Sequence, residues 1–296
     1  MTKIDALLQR FQDLNVWRRR GERAPHKPLL ILLALGHLKP SDQRLMPFDQ
    51  IEEKLSKLLE EFGPPRKSPH PELPFYHLTN DGVWEIEDRE PLRIRRGSKN
   101  PLRTELRKFR IAGGFPEPIF RILKERPEAV RELARQMLEA HFPVSLHESI
   151  LAAVGLDMES ATRGARRDSS FRSDVIAAWG HRCAFCGYSV QLDNSDLGLE
   201  AAHILWYQAG GPETLNNALA CCSLHHQAFD RGAITIAADH NTILISSRLF
   251  GNAKLHEIFV TLHRQPLFAP SRQAALPKPA FLSWHRTQVF RGEPRD

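Results

Sequence analysis

The sequence predicts an α+β protein of two domains: a helix-rich first half with a small antiparallel sheet, then a second half built on a strand-strand-helix unit closed by a metal. Three observations predict it. Apolar residues recur at helical spacing through most of residues 5–154. A polar, charged stretch without apolar periodicity, residues 157–170, then interrupts the pattern. All four cysteines fall within residues 183–222, with His225 and His226 close behind. The 296 residues, 42% hydrophobic and 26% charged, suffice for two separate cores. The division is placed at 1–160 and 161–296.

In order along the chain, Leu7, Leu8, Phe11, Leu14 and Trp17 lie at helical spacing. Pro28 opens a second helix running to Leu38, because a first turn does not need its missing N–H, and Gly36 is expected to weaken that helix near its end. Phe48, Ile51, Leu55, Leu58, Leu59 and Phe62 form an amphipathic stripe that Gly63-Pro64-Pro65 terminates. Residues 64–74 carry five prolines and read as a loop. Residues 75–78 and 83–87 read as two short strands joined in a hairpin through Asn80-Asp81-Gly82. Helical patterns return at 102–109, 117–124, 127–140 and 146–154.

A short helix carrying Phe171, Val175, Ala178 and Trp179 opens the second half. It leads into Cys183-Ala-Phe-Cys186, a strand at 199–205 and a Gly210-Gly211-Pro212 turn. A second strand then runs from Asn216 into Cys222, and a helix from His225 to about Arg231. The tail aromatics Phe281, Trp284 and Phe290 are expected to pack in the core or at an edge rather than to stack on bases.

Composition narrows the function classes. The longest apolar run, from Leu29 to Leu35, is far too short to span a membrane, and the amphipathic N-terminus does not read as a signal peptide. A CxxC among so few cysteines favours a metal site in a reducing compartment over disulfides, so a soluble cytoplasmic protein is expected. Net charge is +6, yet residues 93–110 alone carry +7 through eight basic groups, among them Arg93, Arg95, Arg96, Lys99 and Arg103, against Glu105. The remainder sums to −1, so the positive field is local, as on a surface that meets phosphates. A smaller cluster comprises Arg18, Arg19, Arg20, Arg23 and Lys27.

Cys183 and Cys186 are separated by two residues, as are Cys222 and His225, the bite a tetrahedral Zn²⁺ takes from one turn of chain. Only Cys222 has this spacing to His225, which leaves Cys221 as a buried thiol. A strand-strand-helix unit this small offers almost no core, so a structural Zn²⁺ is expected to hold it folded, with about 10–16 kcal/mol of apparent binding free energy in comparable modules.

His203, Asn217 and His226 remain. With thirteen residues between the first two and eight between the last two, their order resembles the HNH endonucleases, zinc-stabilised here and of the ββα-metal class. The resemblance implies that His203 is the general base, that Asn217 fixes the loop, and that His226 binds a catalytic divalent cation, Mg²⁺ or Mn²⁺. Asp230, four residues after His226 on one helix face, offers a second ligand. The family often has an acidic or histidine ligand immediately before the base, where this chain has Ala202, which leaves the part played by Glu200 open.

In the first half, Gly21 to Leu30 with its His26-Lys27-Pro28, then Leu73-Pro74-Phe75-Tyr-His77-Leu and Asp81-Gly-Val-Trp84, resemble the sulfur-binding domain of phosphorothioated-DNA-dependent restriction endonucleases. That family seats a backbone sulfur in a small apolar pocket while basic groups contact phosphate and bases. By resemblance His26 and Lys27 match the basic pair at a helix start and Pro74 the pocket proline. Leu73 stands where the family commonly has tyrosine, and His77 where it has a small residue. The two resemblances together imply a type IV-like restriction endonuclease that binds phosphorothioated double-stranded DNA and hydrolyses phosphodiesters nearby by a one-metal mechanism. Since one HNH site cuts one strand, a duplex break calls for a homodimer. The alternatives are an HNH nuclease aimed at another modification or sequence, and a non-catalytic zinc-containing DNA-binding protein.

Overall fold

The computed structural model describes residues 3–14, 25–38, 43–87, 92, 100–156, 169–193 and 195–296. They divide into two compact units, 3–156 and 169–296. Among the described residues no helix is long and apolar enough to cross a membrane.

The first unit wraps helices around α2 (His26–Leu38), whose Leu29, Leu30, Ile31, Leu32 and Leu35 are all fully buried. Burial on every side explains why this helix carries an unbroken apolar run rather than a stripe. Around it stand α1 (Lys3–Gln12), α3 (Phe48–Phe62), α4 (Glu72–His77), α5 (Arg103–Lys108), α6 (Glu117–Glu125), α7 (Pro127–His141) and α8 (Val144–Val154). A three-stranded antiparallel sheet has the order β1 (Leu45–Pro47), β3 (Ala112–Gly114), β2 (Glu85–Ile86). The predicted helices are present, with Trp17 outside the described residues.

Two expectations are corrected. Residues 75–78 are not a strand: Pro71 opens α4, Pro74 is tolerated in its first turns, and Phe75 and Leu78 are both buried three positions apart, a helical spacing. Gly82, at φ 69°, closes the 3-10 turn Leu78–Asp81 by donating its N–H to Thr79 O, so Asp81-Gly82 stops a helix instead of turning a hairpin. The strand β2 pairs with β3 instead, Glu85 facing Gly114.

Gly36 is no weak point in α2. A Cβ there would lie 1.9 Å from the Val154 carbonyl oxygen, so glycine is what lets α2 and the end of α8 approach. Helix propensity favours alanine by about 1 kcal/mol. The contact dominates, and Gly36→Ala is expected to lower stability by about 2–3 kcal/mol in urea unfolding, the sign opposite to propensity.

The second unit starts with α9 (Ser169–Ala178) and a two-residue-stranded hairpin, β4 (Gln191–Leu192) with β5 (Ser195–Asp196). The expected strand-strand-helix unit follows as β6 (Leu199–His203), β7 (Ala218–Cys222) and α10 (Ser223–Asp230). Leu199 faces Cys222 and His203 faces Ala218 across the antiparallel pair. Beyond it come a second pair, β8 (Ile234–Ile236) with β9 (Ile243–Ile245), then α11 (Ala253–Ile258) and α12 (Pro279–Gln288).

The expectation of almost no core fails here. Val175, Trp179, Phe185, Leu219, Phe229, Ile234, Ile245 and Leu282 belong to one buried cluster, in which residues far beyond the strand-strand-helix unit close over it. Phe281 packs against that cluster, Phe290 is buried, and Trp284 meets Trp206 edge-on at 5.9 Å, so the tail aromatics are packing groups.

Candidate metal centre and nucleic-acid site

The cysteine pairs converge because β7 ends beside the knuckle that precedes β4. Ala184 N–H donates to Ala220 O at 2.7 Å, and Cys183 N–H to Tyr188 O at 2.8 Å, which folds the knuckle onto the strand. One ligand atom from each of Cys183, Cys186, Cys222 and His225 then lies within 4.8 Å of the others. His225 Nδ1 stands 3.1 Å from Cys222 Sγ and 3.9 Å from Cys183 Sγ. Bonds of about 2.0–2.3 Å to a tetrahedral ion require ligand separations of about 3.5–4 Å, so the donor set fits Zn²⁺ in number, type and spread. The Cys183 sulfur, accepting hydrogen bonds from the Cys186, Cys221 and Cys222 thiols, is held well below the usual thiol range. Cys221 is fully buried, and burial pushes its thiol up.

His226 is clamped at both nitrogens. Its Nδ1 lies 2.5 Å from Glu200 Oε2 and its Nε2 3.1 Å from Asp230 Oδ2. Burial pulls the imidazole pKa down, but the Asp230 and Glu200 carboxylates prevail and hold it up at about 10. The hydrogen bond to His226 lowers Glu200, with Ser223 Oγ–H adding a second at 2.6 Å. The helical i,i+4 spacing places Asp230, itself buried, under His226. Nε2 and Oδ2 are an ion pair here, and a cation held between them would have to displace the Nε2 proton.

His203 ends β6 and is nearly buried. Its ring lies flat on Phe171, centroids 4.9 Å apart with 27° between planes, and Tyr207 approaches at 6.4 Å. Asn217 is fully buried and spends its side chain on backbone: Oδ1 accepts from Leu205 N–H at 2.9 Å, and Nδ2 donates to Leu205 O at 3.0 Å and Pro212 O at 2.9 Å. With Ile204 N–H donating to Asn217 O at 2.9 Å, the loop leaving His203 is tied down at its root. Sequence reasoning named His203, Asn217, His226 and Asp230, but missed the Glu200 contact to His226 and Phe171 altogether. Glu200, three residues before His203, had a legible signal; Phe171 had none.

In the first unit, α2 packs against α4, the helix that holds Leu73, Pro74 and His77, and Lys27 at the start of α2 reaches Asp81 just beyond α4. Lys27 Nζ, expected at a phosphate, is paired with Asp81 Oδ2 at 2.5 Å, both largely buried. Pro74 is buried inside α4 rather than in a loop, and Leu73 is half-buried beside it. His77 Nε2 meets Asn100 Oδ1 at 2.8 Å. Arg103, expected to face DNA, donates through Nε to the buried Glu52, which Arg107 Nη2 also reaches at 2.8 Å. Arg23, Arg93, Arg95, Arg96 and Lys99 lie outside the described residues.

Family models match the chain in two places: the ScoMcrA-like DNA sulfur-binding domain over residues 4–159, and an HNH endonuclease over residues 183–237. A search of the curated proteins finds no match. Among solved structures, the sulfur binding domain of ScoMcrA complexed with phosphorothioated DNA is 25% identical, covers 50% of this chain and 94% of its own, and has a TM-score of 0.45. The type IV phosphorothioation-dependent restriction endonuclease ScoMcrA is 23% identical over 58% of this chain and 38% of its own, with a TM-score of 0.46. The modification dependent TagI restriction endonuclease is 22% identical over 46% of this chain and 41% of its own, with a TM-score of 0.30. With more than half its length inside the first family model, the chain belongs to the ScoMcrA-like DNA sulfur-binding domain family, and the HNH endonuclease domain it carries behind that domain makes it a nuclease.

Proposed function

We propose that the chain is a type IV-like, modification-dependent restriction endonuclease that binds phosphorothioated double-stranded DNA through residues 1–160 and hydrolyses phosphodiesters nearby through residues 161–296. One observation carries the reading: a domain of the sulfur-binding family and an HNH unit lie in the same chain.

In this reading Cys183, Cys186, Cys222 and His225 would hold a structural Zn²⁺, and His226 with Asp230 a catalytic Mg²⁺ or Mn²⁺. Held there, such a cation would supply charge neutralisation at the phosphate and the leaving oxygen. His203 takes the proton from the attacking water, as an imidazole suits neutral pH. Asn217, through its bonds to Leu205 and Pro212, keeps the end of β6 in place beneath that imidazole. Glu200 accepts the Nδ1 proton of His226, which sets Nε2 as the atom turned toward Asp230. On the recognition side, the half-buried Leu73 would supply apolar surface beside the buried Pro74, His26 and His77 would supply polar contacts around it, and Lys27 would reach a phosphate only by leaving its Asp81 partner. Sulfur is larger, more polarisable and more weakly hydrated than the oxygen it replaces, so an apolar wall accepts it at less desolvation cost.

Matched duplexes, identical in sequence and differing by one phosphorothioate, test the targeting. With Mg²⁺ or Mn²⁺ the modified duplex is expected to be cut at least about tenfold faster, equivalent to about 1.4 kcal/mol of discrimination. Equal rates on the two duplexes would overturn it.

A further inference from the structure

The base of an HNH reaction needs more than a reachable nitrogen: the lone pair must point along the proton it takes. His203 has its backbone fixed by pairing with Ala218, but a histidine χ2 torsion is broad and is not set by the backbone. The wall beside the ring is Phe171, whose face lies on the imidazole at 4.9 Å and 27°. Stacked contact of this kind leaves sliding possible and makes rotation about χ2 collide with the phenyl face.

Phe171 is itself held firmly. It sits in the first turn of α9, and the next residue, Arg172, donates Nη2–H to Leu199 O at 2.6 Å, which ties that turn to the start of β6. Further along the same helix Val175 and Ile176, and just past its end Trp179, are buried in the core of the second unit. Tyr207 is a looser neighbour, at 6.4 Å and 59°, and is largely exposed. Phe171 is therefore the anchored planar surface against the ring.

We propose that Phe171 is a positioning residue that holds the His203 imidazole in the orientation needed for proton transfer. The proposal rests on the reading of His203 as the general base. Bulk packing alone would ask only for apolar volume at position 171; positioning asks for a flat face.

The test is single-turnover and steady-state cleavage by the full chain, on whichever duplex the matched assay shows to be cut, with thermal melting of each variant. Phe171→Ala is expected to lower kcat about 10–100-fold while the KM for DNA stays within about threefold, since a misplaced catalytic group costs rate rather than binding. Phe171→Leu keeps apolar volume without the plane and is expected to melt near the parent yet retain the kcat defect. Phe171→Tyr keeps the plane and is expected to restore kcat to within about threefold. Parent-like kcat in Phe171→Leu would overturn the proposal, as would a defect confined to KM or one that Phe171→Tyr does not relieve. His203→Ala run in parallel separates the two ideas. If it cleaves like the parent, the general-base reading has failed; if it is inactive while Phe171→Leu is not impaired, only the positioning role has.

Discussion

His203→Ala is expected to slow DNA cleavage about 10²–10⁴-fold while DNA affinity stays within about threefold of the parent. The separation follows from where the residue lies. His203 closes β6 in the second unit, nearly buried under Phe171, and it is absent from the residues that carry the sulfur-recognition resemblance. Removing an imidazole from that position deletes the proposed proton acceptor and leaves the Cys183/Cys186/Cys222/His225 cluster and the proposed His226/Asp230 pair intact. Electrophoretic mobility shift at fixed salt, beside a cleavage time course, reads both quantities. Fixed salt matters because phosphate contacts make any such affinity salt-dependent. A variant that lost binding in parallel with cleavage would place His203 in the DNA interface. One that lost neither would mean that His203 is not the general base.

Cys222→Ser is expected to release the metal and to destabilise the second unit by several kcal/mol, with about 10–16 kcal/mol, the apparent zinc affinity of small modules, as the ceiling. The apolar cluster running from Val175 to Leu282 is why the ceiling is not reached: the unit has a core of its own, so losing the metal loosens the knuckle and the start of α10 before it unfolds the rest. Cleavage should fail with it, because His226 follows His225 directly on α10 and takes its place from the same turn. Zinc content by atomic absorption, together with the melting temperature, measures the effect. Cys221→Ala is the control. Its thiol is buried next to the ligand set but lies outside it, so metal content is expected to be unchanged and the stability loss to be about 1 kcal/mol. Equal metal loss in the two variants would mean that the ligand assignment is wrong.

Local spacing was enough wherever one element carries the whole signal. The stripe from Phe48 to Phe62 specifies α3, the x₂ bites specify the cysteine and histidine pairs, and i,i+4 spacing puts Asp230 beneath His226. Pattern reading failed where the same local signal suits two structures. Phe75 and Leu78 fit a short strand as well as a helix, and Asp81-Gly82 closes either one; the burial of both, with Phe75 packed on Phe48 and Trp84, goes with the helix. The strands β8 and β9 escaped notice because three-residue elements are too short for a period to appear.

The amino-acid sequence by itself pointed to the two-part organisation, the Cys183, Cys186, Cys222 and His225 cluster and the His203, Asn217, His226 order, because each of these is written in residue type and separation along one chain. Only the tertiary structure decided that Gly36 is a contact and not a flaw, that Lys27 and Arg103 have acidic partners at Asp81 and Glu52, and that Glu200 and Phe171 flank the two histidines. Those facts depend on which side chain arrives from an element tens of residues away. A period or a spacing says which face a residue occupies, and the fold says what faces it.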